Sequence, residues 1–168
     1  MIQDPERRGQ ALAEFFAALA PRLLADLEES GLVALEPVEA RARVRREWEC
    51  FALYACVRAL VAAGGFNRET AAAIDALHRA VLERWLAEEP TLESFESRRS
   101  ALAPRYEEYG RIGQEGGAAG AATVTQRLGE AAARHMSAGD PDAALARLVG
   151  GLHEALAEGG AEAVRSAE

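Results

Sequence analysis

The chain has 168 residues, 49% hydrophobic and 27% charged, with a net charge of -8. That length suits one domain with a sizeable core and is short for two. The negative balance argues against a general nucleic-acid or acidic-membrane binder, and the absence of lysine among the 19 basic residues removes phosphate-loop, Schiff-base and pyridoxal-phosphate chemistry.

Alanine, the best helix former, is abundant, and β-branched residues are sparse. No segment shows the sustained alternation of a strand. The prediction is an all-α, single-domain bundle of five or six helices spanning 1–168. The first helix opens at Asp4-Pro5-Glu6, a capping acid followed by proline at the first helical position. Leu12, Phe16, Leu19, Leu23 and Leu27 form its apolar stripe. Pro21 predicts a kink or two short helices in register, and Gly31 a stop.

The second helix is predicted over about 37–63. Its first third is charged, with Arg41, Arg43, Arg45 and Arg46 interleaved with Glu39, Glu47 and Glu49, and reads as a solvated face. The remainder is apolar all round, which marks a central helix packed on several sides. Cys50 and Cys56 lie in it about 120° apart, so they cannot bridge within the helix and read as buried thiols in a reducing compartment. Gly64-Gly65 ends it.

In the third helix, Asn67 caps and Phe66 is placed to staple the first turn. Ile74, Leu77, Val81 and Trp85 form its stripe, and Pro90 stops it. The fourth starts at Thr91 and carries Leu92, Phe95, Leu102, Tyr106 and Tyr109 through a kink at Pro104. The glycine-rich stretch 110–120 reads as a flexible connection rather than a phosphate cradle, since no GK[ST] element and no strand accompany it. The fifth helix covers about 121–136, with Val124, Leu128 and His135 on one side. The sixth opens at Asp140-Pro141-Asp142, carries Leu145, Leu148, Leu152 and Leu156, and ends at Gly159-Gly160. The tail 161–168 is expected to fray.

One residue interrupts this pattern with a specific question. Arg58 is the only charge between Cys50 and Gly65. Its neighbours three and four positions away (Tyr54, Ala55, Val61, Ala62) include no carboxylate, and Glu47 lies roughly 16 Å back along the axis. The short GGFN turn makes the second and third helices antiparallel neighbours. Folding about that turn sets Arg58 level with Asp75, Tyr54 near His78, Phe51 near Leu82 and Trp48 near Trp85. Such a seam has two readings. It fixes the register of two helices, or it forms a pocket in which Arg58, Asp75, His78, Tyr54 and a tyrosine from the fourth helix (Tyr106 or Tyr109) bind a small anion or carboxylate. Glu107 or Glu108 would compete for Arg58 if the fourth helix packed on the second.

The sequence carries no complete catalytic constellation. Asp75-x-x-His78 lacks the second Glu-x-x-His element of a di-iron bundle, and His78, His135 and His153 are only weak candidates for a mononuclear metal. HExxH, CxxC and GxSxG are absent from the sequence, and no cofactor is implied. The N-terminal MIQDPERRGQ lacks a signal-peptide pattern, and no apolar run reaches the ~18 residues of a membrane span, so a cytoplasmic protein is expected. The leading functional expectation is a non-enzymatic interaction protein that self-associates, a dimer being favoured, or meets a protein partner. The alternative is a small-molecule-binding or enzymatic bundle centred on Arg58, Asp75, His78 and Tyr54.

Overall fold

The computed structural model describes residues 4–116 and 120–166. They form six helices: α1 (Pro5–Glu29), α2 (Val38–Gly64), α3 (Arg68–Glu88), α4 (Leu92–Gly116), α5 (Ala121–Ser137) and α6 (Ala143–Ser166). Among the described residues there is no strand, and no helix is long and apolar enough to cross a membrane.

The helix starts follow local capping chemistry. The Asp4 carboxylate accepts from the Glu6 backbone N–H at 3.1 Å, with Pro5 at the first helical position. The Asn67 side chain works in both directions. Its Oδ1 accepts from Thr70 N–H at 2.9 Å, and its Nδ2 donates to the Gly64 carbonyl at 2.7 Å, joining the end of α2 to the start of α3. Thr91 Oγ1 accepts from Ser94 N–H, and Asp142 from Ala144 N–H, so α6 starts just after Asp142 rather than at Asp140-Pro141. Gly65, at φ 73°, supplies the backbone turn between α2 and α3 that a side chain would disfavour. Phe66 does not staple this turn; it is 93% exposed.

The apolar pattern of α2 decides the architecture. Trp48, Phe51, Leu53, Cys56 and Leu60 are all essentially inaccessible, and α2 touches each of the other five helices. The arginines of its charged start reach four different elements rather than forming one solvated face. Arg41 pairs with Glu28 of α1, Arg43 donates to the Met136 carbonyl at the end of α5, Arg45 pairs with Glu49 on α2 itself, and Arg46 donates to Ser97 of α4.

Small residues set which helices approach most closely. A Cβ on Gly9 would fall 2.4 Å from the Ala73 carbonyl oxygen, so α1 lies directly on α3. A Cβ on Gly129 would fall 2.2 Å from the Ala146 carbonyl oxygen, which fixes the tight α5–α6 crossing. Two helices also outrun the sequence pattern. The helix α4 continues through Gly110 and Gly113 to Gly116, so helix replaces the first seven residues of the connection expected over 110–120; residues 117–119 lie outside the described residues. Similarly α6 passes Gly159-Gly160 and runs to Ser166, with Ala161 and Val164 buried, in place of the frayed tail expected from 161; residues 167–168 lie outside the described residues. Gly160 sits where a Cβ would be 3.0 Å from Ala59 and 3.2 Å from Leu12, at the junction of α6 with α1 and α2. The helices α1 and α4 are each single elements with Pro21 and Pro104 inside them. Leu92, placed on the α4 stripe by spacing, is instead 67% exposed at the helix start.

Two glycine-to-alanine substitutions should therefore act in opposite directions. Gly129→Ala forces backbone apart at the α5–α6 crossing and should lower stability by about 1–3 kcal/mol despite its better helix propensity. Gly151→Ala, whose Cβ meets nothing within 4 Å, should raise it by up to about 1 kcal/mol. Thermal unfolding of the two variants checks both signs.

Candidate functional site

Arg58 finds its partner 96 residues away. Its Nη1 donates to Glu154 Oε2 of α6 at 3.0 Å. The Thr125 hydroxyl of α5 lies 3.1 Å from the same oxygen and 3.1 Å from the Ala121 carbonyl, and its single proton serves one of them at a time. No ion pair joins Arg58 to Asp75, which is exposed on α3. The expected seam fails because the two helices that flank Arg58's surroundings are other than supposed. The buried Ala73, Ala76 and Leu77 side of α3 meets α1 at Gly9, while α6 lies along α2 and brings Glu154. Glu107 and Glu108 are not partners of Arg58 either; Glu108 pairs with Arg134 and His135.

The Arg58–Glu154 pair lies in the wall of an open groove of about 880 Å³ between α2, α4, α5 and α6. Tyr54, Val57, Arg58 and Val61 contribute one face of α2, at three-to-four spacing. The opposite walls come from Gly110 and Gly113 of α4, Val124 of α5, and Ala157 and Ala161 of α6. A Cβ on Gly113 would enter open space, so the bare backbone of α4 leaves that side of the groove wide. The Tyr54 hydroxyl faces the backbone of Gly110, where a Cβ would lie 3.9 Å from it.

The remaining predicted residues form a chain of rings behind Tyr54. Tyr54 lies 5.2 Å from Tyr106 and 5.4 Å from Tyr109, centroid to centroid, and Tyr109 lies 5.1 Å from Phe51. His78 bonds Tyr106 rather than Tyr54. Its Nδ1–H donates to the Ile74 carbonyl at 2.8 Å, which leaves Nε2 to accept from the Tyr106 hydroxyl at 2.8 Å. Burial lowers the His78 pKa, and the Ile74 carbonyl and the Asp75 charge offset this in part. Asp75 thus acts on His78, with which it shares a helix face, and not on Arg58. Burial raises the hydroxyls of Tyr54, Tyr106 and Tyr109, and the Tyr109 hydroxyl has no hydrogen-bond partner among the described residues.

The three histidines occupy separate environments and hold no common metal position. His135 Nε2 lies 2.6 Å from Glu108, and His153 is enclosed in the core. Among the described residues no group of three metal-ligating side chains occurs. His153 stacks on Phe51 at 4.0 Å and donates Nδ1–H to the Phe51 carbonyl at 3.0 Å. Burial, helped by the Arg58 charge, lowers its pKa to about 3. The two cysteines are free, and burial pushes each thiol up to about 12, which makes both inert as nucleophiles.

Two ionic anchors were not anticipated. Glu47 accepts from Arg105 at 2.7 and 2.9 Å in a forked pair. The 7%-exposed Arg98 lies against Glu89 and 2.6 Å from Glu49, with its guanidinium 4.2 Å above the Trp85 ring. Two carboxylates and the face of an aromatic ring together hold the buried Arg98. Both anchors fasten α4 to α2 and thereby fix the groove's Gly110–Gly113 wall. Their sequence signal was the spacing Arg98 to Arg105, two turns on one α4 face, opposite the acids Glu47 and Glu49. For Glu154 the signal was its place beside the small residues Gly150, Ala157 and Ala161, which mark a close-approach face of α6.

No family model, curated protein or solved structure matches this chain.

The buried histidines His78 and His153 give a signed pH dependence. Their folded pKa values lie below the ordinary ~6.5, so between about pH 6.5 and 3 the unfolded chain takes up a proton at His153 that the folded chain refuses. Stability contributed at this site is full above pH 6.5 and should fall with acidification by close to ~1.4 kcal/mol per pH unit. His78 should add loss in the same direction. Urea unfolding across pH 7 to 4.5 should show this slope, flattened in His153→Gln. An imidazole NMR signal of His153 titrating above pH 6 would contradict it.

Proposed function

We propose that the protein is a binding module that holds a small amphipathic molecule in the groove between α2, α4, α5 and α6. The carrying observation is the groove itself: about 880 Å³, open, walled chiefly by valine, alanine and glycine, with Tyr54, Arg58 and Glu154 on its wall and Gln114, Glu158 and Arg165 also lining it. Small-molecule sites typically occupy roughly 300–1,000 Å³ with this same mixture of apolar lining and few polar contacts. The Arg58 side chain is still 29% exposed and uses one of its five N–H donors on Glu154, so it retains capacity for a ligand.

Self-association draws less support. Among the described residues the large exposed apolar side chains are Val38, Phe66, Leu86 and Leu92, each at or near a helix end, and single exposed residues of this kind carry little meaning. Phe66 is the exception, since it borders the groove and extends its apolar surface outward.

The test uses an uncharged apolar dye, N-phenyl-1-naphthylamine, whose fluorescence rises on leaving water. Wild-type protein should give a saturable rise. Gly113→Leu places a side chain in the open space beside α4 and should weaken uptake at least tenfold. The same change should raise Tm by about 2–4 °C, because leucine replaces glycine within a helix. A wild-type protein that takes up no dye would defeat the reading.

A further inference from the structure

We infer that the groove selects ligands with an uncharged head group that both donates and accepts hydrogen bonds, such as a carboxamide on an apolar tail. This rests on the binding reading above and specifies the ligand class. The argument is electrical. The charges set into the groove's polar seat are one guanidinium and one carboxylate, Arg58 and Glu154, already joined at 3.0 Å. Farther out, Arg165 is paired with Glu162, and Glu158 is exposed to solvent. The seat is therefore close to neutral, and an ion entering it meets a like charge beside every opposite one. A ligand carboxylate drawn to Arg58 would lie next to Glu154; a ligand ammonium drawn to Glu154 would lie next to Arg58. Either ion would also leave water for a chiefly apolar groove with its charge half-compensated, which is unfavourable.

The hydrogen-bonding capacity of the seat points the same way. Arg58 has spare N–H donors, and the Tyr54 hydroxyl has no hydrogen-bond partner among the described residues. Glu154 uses Oε2 for Arg58 and Thr125, which leaves Oε1 as an acceptor. Donors and an acceptor side by side match a head that presents a C=O to Arg58 and Tyr54 and an N–H to Glu154. The Tyr54 proton stays on its oxygen, so it can serve as a donor. The tail would run along Val57, Val61 and Val124.

The experiment competes octanamide, octanoate and octylammonium, equal in chain length, against the bound dye at pH 7. Octanamide should displace it with a Kd at least tenfold below that of either ion. The two charge-removing variants should then switch the ranking. Glu154→Gln leaves a net positive seat and should favour octanoate; Arg58→Gln leaves a net negative one and should favour octylammonium. Wild-type protein that prefers either ion, or dye that none of the three displaces, overturns the inference while leaving groove binding intact. Absence of dye uptake overturns the binding reading instead. Sedimentation velocity reads the remaining occupant: a dimer that dissociates as dye enters would assign the groove to a second copy of this chain and overturn the inference. The wild-type ranking needs no variant, so the inference stays testable even if a substitution disturbs folding.

Discussion

The structure is organised by the need to cover most of one helix. From Cys50 to Ala63, α2 has almost no polar residue with which to face water, and a helix of that kind packs against neighbours on several sides. Five helices touch it and leave the half-buried face of Tyr54, Val57, Arg58 and Val61 toward the groove. The two polar ends of the enclosure then follow. At the start of α2, arginines and glutamates reach outward to α1, α4 and α5; along its second half, Arg58 is the one cation that must be answered from outside. An unpaired charge there would cost on the order of 3–5 kcal/mol if fully buried, less at its partial exposure. Glu154 of α6 answers it, and α6 accordingly runs alongside α2 with its carboxylate level with the guanidinium.

Close packing of the shell depends on residues that carry almost no side chain. Gly9 against Ala73, Gly129 against Ala146 and Gly160 against Ala59 put helix backbones nearly in contact, which a shell of leucines would not permit. The same residue type has a different effect on α4. Gly113 meets no neighbour, and the space its missing side chain leaves belongs to the groove. Glycine thus both draws helices together and holds one surface open, and only the neighbouring element decides which.

That ambiguity accounts for what could be read from the sequence and what could not. Asp4-Pro5, Asn67 and Thr91 were legible because a cap acts within three residues, and the all-round apolar α2 was legible because its periodicity is lost within a single helix. Gly110 to Gly116 and Gly159-Gly160 were misread as breaks because glycine's local cost is visible in sequence, while the tertiary packing that carries a helix through it, such as Gly116 on Val124 and Gly160 on Ala59, is not. Arg58 stood out correctly as a charge lacking a local partner. The choice of Asp75 failed for a geometric reason. A short turn makes two helices adjacent but does not fix their rotation about their own axes, and the Gly9–Ala73 contact turns the small face of α3 toward α1. The true partner, 96 residues on, was beyond any argument from a turn. Tyr54 and Arg58 consequently belong to the groove, Tyr106, Tyr109 and His78 stand behind it, and Asp75 lies outside.

The two kinds of ion pair in this molecule differ in what they leave over. The Arg98 cluster, 7% exposed and crowded by Glu49, Glu89 and Trp85, has its charge consumed by its neighbours; burial raises the Glu49 pKa despite Arg98 and Arg45, and lowers that of Arg98. Such a cluster fixes how α4 sits on α2 and has little capacity for anything else. Arg58 and Glu154 are each about one-third exposed and share a single contact, so their charges cancel while most of their hydrogen-bonding groups remain open. A pair of that kind contributes modestly to stability, because solvent screens it. Its consequence is instead chemical: it places donors and an acceptor on an apolar wall without the field of a net charge, an arrangement that a lone arginine or a lone glutamate at either position would not produce.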